Sequence, residues 1–226
     1  MKTVSNIALS SWITLWALTV CGAFWRFEWR YLRPVARPAG TSAVPVARLL
    51  GVLQSQMGPV SLDHPGTTTL LNFWAPSCAC SRYNETHVAN LIQAYGQRGV
   101  RFITVLECGQ SAGDQEDAQD RWRERRFPNH PYALDPGGKA ARQFGVWAAP
   151  AAVILDRNGN VRYVGGYNAA RFCDDKRTAW AAAALEATVG DRRPKVSTAP
   201  FYGCQVTPAG SVEADNEVPR MVTARR

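Results

Sequence analysis

The side chains best equipped for chemistry in this 226-residue chain are its six cysteines: Cys21, Cys78, Cys80, Cys108, Cys173 and Cys204. Two of them lie one residue apart in Cys78-Ala79-Cys80-Ser81, directly after the apolar run Leu70-Leu71-Asn72-Phe73-Trp74-Ala75-Pro76. A cysteine that opens a helix meets unpaired backbone N–H groups and the positive end of the helix dipole. Both favour the thiolate, which is the nucleophilic form of sulfur. Cys78 is therefore the leading candidate nucleophile.

The elements that must hold such a thiol follow from the pattern around it. Residues 67–74 are apolar and β-branched, as expected of a strand buried on both faces. Residues 82–98 place Val88, Leu91, Ile92 and Tyr95 at helical spacing, and Gly96 and Gly99 end the helix. A second strand is expected over 100–108, a polar, solvent-facing helix over 114–126, a short strand over 132–134 and a short helix over 138–144. Residues 151–156 and 161–164 form strands around an Asn158-Gly159 turn, since that dipeptide tolerates positive φ. An Ala-rich helix follows over 174–189. Strands alternating with helices, then a hairpin, then a helix, predict an α/β domain with a mixed central sheet.

Upstream, residues 7–25 carry no charge and are long enough to cross the ~30 Å hydrocarbon layer of a bilayer as a helix. They are expected to form one uncleaved transmembrane anchor, with Trp25, Phe27, Trp29 and Tyr31 at the interface. The expected organisation is a flank over 1–6, the anchor over 7–25, a Pro-rich juxtamembrane linker over 26–42 with a short helix beginning at residue 43, a domain over 43–190 and a tail over 191–226. The formal net charge is +8. The basic residues are dispersed and lack interleaved aromatics, which argues against nucleic acid and for a solvated surface or anionic lipid. Counting Lys and Arg alone would put the domain in the cytoplasm, because four arginines follow the anchor.

Three stretches together resemble the thioredoxin fold, and most closely its TlpA-like, membrane-anchored branch of thiol–disulfide proteins. They are Asn72-Phe73-Trp74-Ala75 before the cysteine turn, Gly145-Val146-Trp147-Ala148-Ala149-Pro150-Ala151, and Ile154-Leu155-Asp156-Arg157-Asn158-Gly159. The resemblance implies that Cys78 is the attacking cysteine and that Pro150 is a cis proline facing it. It also implies that Ala149 and Pro150, with Trp74 as a wall, hold the backbone of a protein thiol or disulfide substrate. It further implies an inner-membrane protein, single-pass, with a periplasmic domain, against the arginine count.

The sequence departs from the family's C-x-x-C pattern, because Ser81 occupies the resolving position. Three readings stay open. Cys80 could resolve Cys78 as a C-x-C pair. A more distant cysteine, Cys108 or else Cys173 or Cys204, could do so instead. Or Cys78 and Cys80, with His130, could bind copper, since soft thiolates with an imidazole suit Cu(I). On the first two readings no cofactor is needed and the protein is a membrane-tethered thiol–disulfide oxidoreductase. On the third it is a copper-binding chaperone or assembly factor. Cys173 and Cys204 are also expected to form a structural disulfide that fixes the tail. Glu107 is a candidate proton acceptor near the end of its strand, though a surface residue is the simpler reading; His87 and Asp135 are read as structural.

Overall fold

The computed structural model of the protein describes residues 2–36, 66–125 and 131–206. The helix expected to begin near residue 43 and the copper candidate His130 lie outside them.

Helix α1 spans Lys2–Leu32 without a break. It carries exposed Leu9, Trp12, Trp16, Phe24 and Trp25. The hydroxyls of Thr14 and Thr19 donate back to the carbonyls of Ser10 and Leu15, both at 2.9 Å, so these polar groups are satisfied within the helix. Among the described residues, no helix is long and apolar enough to cross a membrane.

The domain is built on a five-stranded mixed sheet in the order β3-β2-β1-β5-β6. The strands are β1 Thr69–Trp74, β2 Arg101–Cys108, β3 Tyr132–Pro136, β5 Ala151–Leu155 and β6 Val161–Gly165. β1 runs parallel to β2, and β2 to β3, while β5 pairs antiparallel with both β1 and β6. Side chains alternate across a strand, so β1 feeds two cores. Leu71 and Phe73 enter one with Ile103, Val105, Phe144 and Val153. Leu70 and Trp74 enter the other with Leu91, Leu106, Tyr163 and Leu185. Asn72 is the polar residue on that second face. Its amide donates to Thr104 Oγ1 at 3.2 Å and its oxygen accepts from the Tyr167 hydroxyl at 2.9 Å, so its burial leaves neither end unpaired.

Helices α2 (Ala79–Tyr83) and α3 (Glu85–Gly96) replace the single helix expected from residue 82. The helical path begins directly after Cys78 and is interrupted at Asn84. Helix α4, Ala112–Arg123, starts earlier than expected because Ser111 and Asp114 form a reciprocal capping box. It is also not wholly solvent-facing. Ala118 and Trp122 turn inward one helical turn apart, and the Trp122 ring meets Trp74 edge-on at 5.6 Å. Helices α5 (Lys139–Gln143) and α6 (Trp180–Val189) complete the layers, with a single 3₁₀ turn at Lys176–Thr178 before α6.

The packed unit continues past the expected domain end at residue 190. Residues 197–199 lie along the edge of β6: Val164 N–H donates to Ser197 O at 3.0 Å and Ala199 N–H to Val164 O at 3.1 Å. The chain then crosses to a second, two-stranded sheet in which β7, Cys204–Gln205, pairs antiparallel with β4, Ala148–Ala149. Phe201 packs tilted against Trp147 with ring centroids 4.3 Å apart. Val35 joins this corner, its N–H donating to Phe201 O at 2.7 Å and its carbonyl accepting from Trp147 Nε1 at 3.0 Å.

Candidate active site

The turn after β1 explains how Cys78 is held. Its N–H donates to Ala75 O at 3.1 Å, and its own carbonyl accepts from Arg82 N–H at 3.2 Å as the N-cap of α2. Ser81, which stands where a thioredoxin keeps its second cysteine, is buried. Its hydroxyl oxygen accepts the Ala75 N–H at 3.2 Å, closing the strand-to-helix turn. The serine thus satisfies a buried backbone donor.

Cys78 is disulfide-bonded to Cys204, 126 residues along the chain, with the two Cα atoms 5.9 Å apart. The sulfurs of Cys78, Cys80 and Cys204 all lie within 4.8 Å of one another. Cys80 remains a free, buried thiol. Its burial raises its pKa, and the nearby Arg171 guanidinium partly counters this. Cys78 is only 1% exposed, while Cys204 is half-buried.

The Ala149–Pro150 peptide is cis. Ala149 stands opposite Cys204 in the β4–β7 ladder, and Cys78 Sγ is 3.5 Å from the Ala149 carbonyl oxygen. Ala75, Cys78, Cys80 and Ala149 form one small buried cluster with Cys204 packed against it. Gly203 is required there, since a Cβ at this position would overlap the Ala149 carbonyl and come within 3.1 Å of Pro150 Cδ.

Two of the pairings weighed from the sequence are not the one present. Cys204 bonds to Cys78 and not to Cys173, because β7 carries it onto β4. Cys173 is a free thiol 3.7 Å from Thr178 Oγ1, in the loop before α6. Likewise Cys78 is not bonded to Cys80, whose sulfur is a neighbour of the disulfide. Cys108 does not join the sulfur cluster. It is buried beside Asp135, Asp114 and Glu107, and burial together with those carboxylates pushes its thiol up to about 11. Trp74 lies in the core against Trp122. His87 packs edge-on against Tyr167, and burial lowers its pKa. Asp135 is buried and accepts the N–H groups of Ala140 and Ala141 at 2.8 and 2.9 Å, anchoring α5; its pKa is raised by that burial. Cys204 as a distant partner of Cys78 was one of the readings the sequence left open; Gly203 before it went unread, and its one signal is its place beside a cysteine in the largely apolar stretch Phe201-Tyr202-Gly203-Cys204-Gln205-Val206, after the last helix.

A mixed sheet with this strand order, a cysteine turn between β1 and α2 and a cis proline beside it defines a thioredoxin-like fold. The chain belongs to the family described as Domain of unknown function (DUF6436), whose model matches residues 51–206. It is 25% identical over 99 residues to "Thiol-disulfide oxidoreductase ResA" of Bacillus thuringiensis subsp. konkukian (strain 97-27), covering 44% of this chain and 54% of that protein. It is 24% identical over 102 residues to the protein of the same name from Geobacillus thermodenitrificans (strain NG80-2), covering 45% and 56%. The chain thus spans about half the length of the curated relatives it matches. Among solved structures it superposes on an uncharacterized conserved protein from Geobacillus kaustophilus with a TM-score of 0.58 at 22% identity, covering 67% of this chain and 84% of that one. It also superposes on the hypothetical protein SMc02350 from Sinorhizobium meliloti 1021, with a TM-score of 0.55 at 18% identity, over 65% of this chain and 82% of that one.

Proposed function

We propose that this chain is a thiol–disulfide oxidoreductase acting on protein thiols or disulfides, with Cys78 and Cys204 as its redox couple. The observation that carries the reading is the Cys78–Cys204 bond, lying between the mouth of the β1–α2 turn and the cis Ala149–Pro150 peptide. In the reduced chain, Cys78 thiolate attacks one sulfur of a substrate disulfide and the other substrate sulfur leaves as a thiolate. Cys204 thiolate then attacks Cys78 Sγ, the mixed disulfide breaks, and the substrate leaves as a dithiol. Cys80 does not take part in this couple. Helix α1 serves as the tether, with its aromatic side chains at a membrane surface and the domain on the periplasmic side, in keeping with the TlpA-like resemblance. The Cys78→Ser variant of the full chain should lose turnover of a model disulfide. Retained turnover would end the reading.

A second reading rests on the three sulfurs within 4.8 Å. Once reduced, they present three soft thiolates, a donor set that fits Cu(I) as cargo. The metal and the disulfide would compete for the same two sulfurs. Anaerobic titration of the reduced full chain with Cu(I) against a competing chelator tests this, and failure to hold one equivalent counts against it.

A further inference from the structure

We propose that β7 is a strap filling the chain's own peptide-binding edge, and that this edge accepts in its place an extended partner peptide in which glycine directly precedes the reactive cysteine. The inference rests on the thiol–disulfide reading above and names the substrate class for that site.

Among the described residues, β4 has one ladder partner, which is β7. The backbone edge of Ala148 and Ala149 would otherwise offer unpaired N–H and C=O groups next to a reactive sulfur. Such an edge is completed by an extended strand from any source, with main-chain hydrogen bonds giving affinity and side-chain fit giving selectivity. Here the occupant comes from the same chain. Its Cys204 stands opposite Ala149, and the sulfur it presents is bonded to Cys78. This is the arrangement a mixed disulfide with an external peptide would take.

The strap is held in two unequal parts. Its upstream part is locked against β6. A Cβ at Gly165 would come within 2.8 Å of three Ala199 atoms, and one at Gly166 within 2.7 Å of Pro200 O, so both glycines are needed for this approach. The downstream part is held by the two-residue ladder, the Val206 N–H donating to Trp147 O at 3.0 Å, the burial of the Val206 side chain in the core, and the disulfide, which is its one covalent tie. Once the disulfide is opened, residues 203–206 are the part free to lift, with the locked residues 197–200 as the hinge.

Burial sets the order of events. In the closed, oxidised chain Cys78 is 1% exposed and shielded from partners. In the reduced chain the strap lifts and a partner disulfide docks on β4. Cys78 thiolate attacks the docked cysteine sulfur, and the partner's second sulfur leaves as a thiolate that takes a proton from water. The strap then returns, Cys204 thiolate attacks Cys78 Sγ, and the docked sulfur leaves as the second thiolate. Two electrons pass from the chain's two thiols to the partner's disulfide, and two protons follow through water. Re-docking of β7 thus couples resolution to release of the product. A dithiol donor protein regenerates the chain by attack at Cys204, the less buried sulfur of the pair.

The selectivity follows from Gly203. A side chain there would strike the Ala149 carbonyl and Pro150, and the same collision applies to a guest peptide in the same register. The test uses the reduced full chain and a peptide copying residues 199–206, its cysteine carrying a coloured thionitrobenzoate as a mixed disulfide. A second copy has valine in place of the glycine. Release of colour should be about tenfold faster from the glycine peptide, the size expected of an overpacking clash. Gly203→Val in the chain, which keeps the strap off β4, should speed release from the glycine peptide several-fold. Reduced wild-type chain alone supplies the peptide comparison should that variant not fold. Equal rates for the two peptides, or no gain in Gly203→Val, would overturn the strap while leaving the oxidoreductase reading in place. A chain that reacts with a small thionitrobenzoate disulfide but with neither peptide overturns it in the same way. A chain that reacts with none of the three removes the oxidoreductase reading, and the strap with it.

Discussion

Opening the Cys78–Cys204 bond should weaken the fold by an amount that depends on which cysteines are joined. The bond spans 126 residues of sequence. In the chain-entropy treatment, a loop of that length removes about 5 kcal/mol of freedom from the unfolded state at 25 °C. A Cys78–Cys80 bond would close a loop too small to constrain the unfolded chain by more than a fraction of that. Taking about 2 kcal/mol per molar urea as the denaturant sensitivity, reduction should lower the unfolding midpoint by about 2.5 M. The eight tryptophans report the transition by fluorescence, measured on the full chain in mild detergent with and without dithiothreitol. Cys204→Ala should unfold near the reduced wild type and respond little to reductant, and Cys80→Ala should keep the full shift. Oxidised and reduced chains with the same midpoint, or a shift abolished by Cys80→Ala and not by Cys204→Ala, would rule out the Cys78–Cys204 bond as the stabilising link.

Other consequences are as direct. Ser81→Ala leaves the buried Ala75 N–H without its acceptor and should cost about 1–3 kcal/mol in the same urea assay, whereas a neutral result would remove the serine's role in closing the turn. Cys108, with its thiol pushed up to about 11 from an ordinary value of 9.0, stays protonated in the folded chain while it ionises in the unfolded one. Its contribution to stability is therefore full below pH 9 and lost as the pH rises toward 11, at about 1.4 kcal/mol per unit between those values. Wild type should lose stability relative to Cys108→Ala in that window, and parallel pH curves would contradict this. The tether reading expects the full chain to float with phospholipid vesicles; a chain that stays with the aqueous fraction contradicts it.

Much of the fold was legible because its signals are local. The apolar run before Cys78, the Asn158-Gly159 turn and the strand before it each form within a few residues, and β1, β5 and β6 lie where their patterns put them. Pro150 was legible only through the resemblance, which fixed its place relative to Cys78. The second sulfur was legible only as one of several distant candidates. Cys204 sits in a segment without periodicity, and its strand is two residues long, too short to leave an alternating pattern. Its position depends on glycines far away in sequence, Gly165 and Gly166, that let the segment approach β6. The C-x-C spacing drew attention to Cys80 because proximity in sequence is visible and proximity across a sheet is not. Trp122 was misplaced for a related reason. The strong charge of α4 hid the one face, Ala118 and Trp122, that the core needed.

Cys78 and Cys204 are proposed above as the redox couple of this chain. Blocking free thiols of the full chain without reduction, digesting it and mapping the linked peptides by mass spectrometry tests it most directly. One linkage is expected, Cys78 to Cys204, with Cys80, Cys108 and Cys173 recovered as blocked thiols. A Cys78–Cys80 or Cys173–Cys204 linkage, or Cys204 recovered blocked in air-oxidised protein, would contradict it.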